Sequence, residues 1–201
     1  MNAANVRAAM CRIAEKMEAC KEMLVELDQQ SGDGDLGLSM AGGFTAVAQM
    51  DVQETDLGLL FMQMARHFNE YAPSSLGTIL SFGMMGMAQS LKGHSEMTIA
   101  DLAAAMRNGL DKIMDKAGSK PGEKTILDAL APAVAALESA ADTHVAFELA
   151  AEAAAKGSES TREMRAVHGR AAYYGDKSIG MLDGGSVVGK LIFETFAQVA
   201  A

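Results

Sequence analysis

Val6, Met10, Ile13, Met17, Cys20, Leu24 and Leu27 follow one another at alternating steps of four and three. That spacing lays all seven on one stripe of an α-helix, so the chain is predicted to open with one long amphipathic helix in which Cys20 and the methionines pack into the core. The same period recurs near residues 39–49, 56–70, 76–91, 98–116, 124–139, 143–156, 159–170 and 186–199. Ile99, Leu102, Met106, Leu110 and Ile113 mark one such face, and Ile126, Leu130, Val134 and Leu137 another. Thr98 opens T-I-A-D, which resembles a capping box. No segment alternates apolar and polar residues as a half-buried strand does. Eight or so helices with short connections predict an all-α fold, an antiparallel up-and-down helical bundle or barrel.

Composition agrees with that class. Hydrophobic residues make up 49% of 201, which excludes a disordered chain, while 5% aromatics, no Trp and 36 Ala argue against a β-sandwich. The length suits one domain over residues 1–201, and no Pro- or Ser-rich linker divides it. A net charge of −9 without a run of Lys and Arg removes the electrostatic basis for binding nucleic acid or an anionic membrane. No segment approaches the ~18 uninterrupted apolar residues of a membrane span, and the N-terminus has no leader-like apolar core. Cys11 and Cys20 are too few for a disulfide framework, so a reduced, cytoplasmic compartment is expected.

Chemistry is concentrated in four glycine-rich connections: residues 31–37, 73–77, 117–125 and 173–186. Each runs directly into a predicted helix, and helix N-termini bind anions through their unpaired N–H groups. Gathered at one end of a bundle, four such starts would make a phosphate site without a basic surface, though each loop alone reads equally as a glycine-assisted connection. The first is distinct. Asp28, Asp33 and Asp35 fall within eight residues in an already acidic chain, and three crowded carboxylates repel unless a cation neutralises them. All-oxygen donors favour Mg²⁺ or Ca²⁺ over Zn²⁺, and the EF-hand is excluded because its twelfth position, counted from Asp28, is Ser39. Mg²⁺ shared with nucleotide phosphates is one reading; a solvated turn whose Asp residues cap helices is the other.

Other motifs are missing. His67, His94, His144 and His168 sit on separate elements without zinc spacing, Ser74 and Ser75 lie in no nucleophile elbow, and neither a P-loop nor a Rossmann fingerprint occurs. A nucleotide would have to be held by another architecture.

Three segments, L27-D-Q-Q-S-G-D-G-D-L-G37, K120-P-G-E-K-T-I-L-D-A-L130 and G169-R-A-A-Y-Y-G-D-K-S-I-G-M-L-D-G-G185, resemble in order and separation the signatures of the nucleotide-binding subunit of dihydroxyacetone kinases, the DhaL or DAK2 domain family. The resemblance covers essentially the whole chain. It implies an eight-helix antiparallel barrel with an ADP or ATP site at one end and two Mg²⁺ ions held by Asp28, Asp33 and Asp35. By the same resemblance, nucleotide contacts fall on Leu36, Gly37, Leu38 and Ser39, on Ser75 and Leu76, near Gly118 and Ile126, and on Arg170, Asp183 and Gly184. Arg170 would be the local cation of the site. Family members commonly carry His or Thr at the place of Leu36, a hydroxyl within the G-x-S-G loop where this chain reads Ser74-Ser75-Leu76-Gly77, and Asp-Pro-Gly where it has Asp183-Gly184-Gly185. The metal ligands are therefore complete and the phosphate hydrogen bonds fewer.

The resemblance implies a phosphotransferase that passes a phosphoryl group through Mg²⁺-bound nucleotide to a small ketose such as dihydroxyacetone. It also implies a separate DhaK-like subunit that holds the sugar and, in some members, a DhaM-like phosphohistidine carrier that recharges bound ADP; a homodimer is compatible with it. No residue of the chain is an obvious catalytic nucleophile. The altered Leu36 and Ser-Ser-Leu-Gly positions favour an alternative, a nucleotide-sensing module that docks on a partner without turnover.

Overall fold

Helical periodicity becomes helix nearly everywhere in the structure, a computed structural model that describes residues 1–51, 53–140 and 145–200. Among these residues there are nine α-helices: α1 (Ala3–Ala19), α2 (Lys21–Asp28), α3 (Leu36–Ala48), α4 (Leu57–Tyr71), α5 (Ser75–Ser90), α6 (Ile99–Ala117), α7 (Leu127–Ser139), α8 (Ala146–Ser160) and α9 (Gly184–Ala200). Two 3-10 segments cover Thr161–Glu163 and Arg170–Ser178, and the described residues hold no strand, only a single bridge between Asn2 and Glu96. His144 and the first residues of the pattern expected at 143–156 lie outside the described residues.

Helix starts are specified locally. Thr98 and Asp101 form the expected capping box at α6, Asp56 accepts from Leu59 N–H at α4, and Asn2 and Asn5 cap α1 reciprocally.

Two expectations are corrected. The opening stripe is not one helix: at Cys20 the backbone turns to φ −99° and ψ 3°, dividing α1 from α2. Beyond this break α3 packs across the first turn of α2, and Gly37 sits so close that an added Cβ would lie 2.2 Å from the Lys21 carbonyl oxygen. The helix expected over 159–170 is also absent. Its backbone groups are tied to residues 178–180 instead, with Ala166 N–H donating to Ser178 Oγ and Gly180 N–H to the Arg162 carbonyl. The chain leaves helical geometry at Met164, at φ −93° and ψ 148°, and Gly169, at φ 65°, precedes the second 3-10 segment.

From α3 to α9 each helix packs on the next, α1 packs on α3, and α9 returns to α1, so the succession of neighbours closes on itself. The interior carries Phe44, Phe68, Phe193, Met17, Met40 and Met64, all essentially inaccessible. Beside it lies an apolar cavity of about 500 Å³ that opens to the surface near Met1 and Val199. Val6, Met10 and Ile13 of α1, Leu80, Met84 and Met87 of α5, and Ile192, Phe193 and Phe196 of α9 line it. None of the cavity's lining residues belongs to the acid loop or to the first turns of α3, α5 and α9, so the cavity lies away from that loop. Cys11 and Cys20 are free thiols. No helix of the described residues is long and apolar enough to cross a membrane.

Candidate functional site

The acid loop is shaped by its first aspartate. Asp28, the last residue of α2, accepts Gly34 N–H on Oδ2 at 2.7 Å, and Gly34 adopts φ 80° to make that turn. Asp35 occupies the N-cap position of α3, but at φ −90° and ψ −11° its side chain makes no capping bond. Its carboxylate is thus not used as a helix cap, which removes the structural alternative for that residue. One oxygen from each of Asp28, Asp33 and Asp35 lies within 4.8 Å of the others. Desolvation raises the pKa of Asp35 above the ordinary carboxylate value, and the charges of Asp33 and Asp28 push it further. These hard oxygen donors, crowded without a cation of their own on the loop, fit a divalent cation of the Mg²⁺ type.

Arg170 meets this cluster from the far end of the chain. Its guanidinium, at the start of the second 3-10 segment, donates to Asp33 Oδ2 at 2.5 Å, and both side chains stay largely exposed. Arg170 is thus paired with a carboxylate of the loop.

The four helix starts converge as the loops suggested. Ser39 of α3 and Ser74, the N-cap of α5, share a hydroxyl hydrogen bond of 2.6 Å, while Ser74 Oγ also accepts Gly77 N–H. Gly184, which opens α9, sits against Leu36: a Cβ there would lie 2.6 Å from Leu36 Cδ2. Gly185 in turn approaches Ile126 N at the start of α7. In α3 the N–H of Ser39 bonds back to Asp35, so those of Leu36, Gly37 and Leu38 belong to the first turn, which an α-helix leaves without internal acceptors.

Side chains at these positions divide by exposure. Leu36, Gly37, Ser39 and Ile126 are buried and have packing roles; Leu38, Ser75 and Arg170 are exposed, and Leu76, Asp183 and Gly184 are intermediate. Gly118 is the left-handed C-cap of α6, at φ 62°. Asp183 accepts Ser186 N–H on Oδ2 at 2.6 Å, and its own N–H donates to Thr161 Oγ1. Desolvation drives the Asp183 pKa up to about 7, against the lowering effect of the Ser186 bond and of Lys124; Asp128 and Asp28 add to the rise.

Sequence reasoning missed three groups near the site. Lys124, within the third loop, has a buried side chain whose ammonium donates to the carbonyls of Thr161 and Met181. His168 and Glu123 pair at 2.6 Å, joining the third loop to the segment before Arg170, and this bond lowers the Glu123 pKa. Ser158 and Ser186 share a buried hydroxyl bond between α8 and α9. All three connect residues at least 28 apart, so no local motif reveals them.

Comparison with known proteins gives the arrangement a lineage. Residues 30–198 match the DAK2 domain. The chain is 28% identical over 185 residues, 89% of its length and 88% of the relative's, to "PEP-dependent dihydroxyacetone kinase, ADP-binding subunit DhaL" of Escherichia coli K12. It is 27% identical over 186 residues, 92% and 90% of the two chains, to the corresponding subunit of kinase 1 of Listeria innocua. Among solved structures it resembles the dihydroxyacetone kinase from C. freundii in complex with AMP-PNP and Mg²⁺, with a TM-score of 0.78 and 21% identity over 98% of this chain. The chain spans 34% of that larger kinase, and the likeness is one of fold. With its signature segments folded around one acid loop and the domain match covering all but its ends, the chain belongs to the DAK2 domain family.

Proposed function

We propose that this chain is the nucleotide-binding subunit of a dihydroxyacetone kinase-like system, a kinase that passes a phosphoryl group by way of ADP or ATP to dihydroxyacetone or a related small ketose. The observation that carries this reading is the convergence of four helix starts beside three carboxylate oxygens within 4.8 Å of one another. An anionic ligand approaching those helix starts meets carboxylates as well, an arrangement that makes sense with cations between them.

Asp28, Asp33 and Asp35 would hold Mg²⁺, two ions in this proposal, which when bound offsets negative charge on phosphate oxygens. The first-turn N–H groups of Leu36, Gly37 and Leu38 orient a phosphate through the positive end of α3, with Ser39 fixing that turn to α5 through Ser74. Ser75 and Leu76 at α5, Gly118 and Ile126 beside the third loop, and Asp183 with Gly184 at α9 complete the nucleotide's surroundings. Arg170 leaves Asp33 to donate a forked pair of bonds to phosphate. Residues 1–201 act as one such unit. The sugar belongs to a DhaK-like partner subunit, and the donor is ATP or a DhaM-like phosphohistidine carrier; the unit works in the cytoplasm and admits a homodimer.

One observation favours the sensing alternative: Leu36, at 7% exposure, offers no hydrogen-bonding side chain at the head of the site. Native mass spectrometry of gently desalted protein and a transfer assay with the partner subunit decide between the two. Retained ADP with Mg²⁺ and formation of the ketose phosphate are expected. Retained ADP without turnover selects the sensor, and absence of binding at millimolar ADP and Mg²⁺ removes both.

A further inference from the structure

Lys124 is the only Lys or Arg among the described residues that is buried, at 4% exposure. It is also the only described residue other than glycine with a positive φ, 61°. Both features are costly: an ammonium loses its water, and a side chain with a Cβ is held in the left-handed region. Among the described residues no carboxylate closes a salt bridge with it, although the charges of Asp183 and Asp128 favour its ammonium. Its Nζ instead donates to two main-chain carbonyls, Thr161 and Met181, each at 2.5 Å, and desolvation lowers its pKa.

Met181 belongs to the turn that leads into α9, and Thr161, in the first 3-10 segment, braces that turn from another part of the chain. Thr161 Oγ1 accepts Asp183 N–H at 3.1 Å, Asp183 accepts Ser186 N–H at 2.6 Å, and Ser186 Oγ donates to the Asp183 carbonyl. Gly184 then stands against Leu36 at the head of α3, and Gly185 against Ile126 N. Removing the ammonium would leave the half-buried Met181 carbonyl without its donor, leave the Thr161 carbonyl with Met164 N–H alone, and free the 181–184 turn to move. We propose that Lys124 is a positioning residue: its buried ammonium ties the loop of residues 118–126 to the 181–184 turn and thereby sets Asp183 and Gly184 beside the acid loop. The consequence for nucleotide binding rests on the function proposed above; the anchoring of the turn does not.

The test compares wild type with Lys124→Met, which keeps the length of the side chain and removes its charge. Hydrogen exchange of the ligand-free proteins reads the anchoring directly. The Ser186 and Asp183 amides should lose at least ~10-fold of their protection while amides in α4 and α5 keep theirs. Calorimetry should show ADP in the presence of Mg²⁺ binding at least ~10-fold more weakly, with the affinity for Mg²⁺ alone within about twofold, because the three aspartates are not touched by the change. Lys124→Arg, which keeps the charge, should recover part of both effects, and it carries the same comparisons if the Met variant does not fold. Unchanged protection at 183–186 overturns the proposal, as does loosened exchange with undiminished ADP affinity. If wild type itself binds no ADP with Mg²⁺, the proposed function fails, and the exchange measurement still decides the role of Lys124.

Discussion

Asp33 is held by a guanidinium that lies 137 residues away in sequence. Because that pair is largely exposed, it contributes at most about 1 kcal/mol to the fold, and losing it is offset by relief of repulsion on Asp35. Asp33→Asn should therefore shift the ligand-free melting temperature by less than about 4 °C. Phosphoryl transfer to dihydroxyacetone, measured with the partner subunit, should fall at least ~10²-fold, because a neutral amide oxygen holds a hard cation less firmly than a carboxylate and offsets none of its charge. A strongly destabilised variant with normal turnover would make Asp33 a turn residue. Asp183 gives a pH dependence of definite sign. Its folded pKa, about 7, lies above the unfolded value of 3.8, so its protonation favours the folded state. That contribution is complete below pH 3.8 and is lost as pH rises through about 7. Asp183→Asn keeps an acceptor for Ser186 N–H and abolishes the loss, so chemical denaturation should find the variant gaining on wild type between pH 5 and pH 8. A constant difference across that range would show that the carboxyl does not titrate there.

Between elements, glycine contacts decide how closely helices approach, and the one at Gly37 supports the acid loop. Gly37 lets α3 rest on α2, where a Cβ would meet the Lys21 carbonyl oxygen and would lie 2.8 Å from Val25 Cγ2. Backbone cannot swing aside as a side-chain tip can, so Gly37→Ala should cost about 1–3 kcal/mol in denaturant melts. It should also weaken Mg²⁺ binding, because α3 and the acid loop move together. A variant as stable as wild type with full metal affinity would mean that the two helices separate freely. The α7–α8 contact has the same character by another route. Pro132, within α7, has no N–H for the Asp128 carbonyl, and Gly157 of α8 packs directly against that oxygen, an approach a Cβ would block at 2.0 Å.

For the molecule as a whole, ligand binding acts on an already complete core. An excess of negative charge, −9 overall, surrounds a site proposed for a polyanion, so ADP should stabilise the fold only when Mg²⁺ accompanies it. At about 100 times its dissociation constant the nucleotide would add roughly 2.7 kcal/mol, read as a rise in melting temperature that chelator abolishes. An equal rise with and without chelator would remove the metal bridge between the aspartates and phosphate. The apolar cavity of about 500 Å³ sits toward the other end of the helices, so filling or emptying the acid loop need not disturb it.

Helix content, most boundaries and the three aspartates were legible in the chain because each depends on neighbours within a turn or two: apolar steps of three and four, the Thr98–Asp101 cap, three acids in eight residues. The DAK2 resemblance was legible for the same reason, since its signatures are short contiguous segments. Only the tertiary structure decided the break at Cys20, the loss of helix at 159–170, and the burial of Lys124. In each case a partner distant in sequence outweighs local preference: α3 seated on Lys21, Ser178 taking the Ala166 N–H, and the carbonyls of Thr161 and Met181 taking the Lys124 ammonium. Hydropathy reads Lys124 as a solvated charge. It is buried because two main-chain oxygens, 37 and 57 residues further along the chain, can be satisfied in the folded protein by its donor.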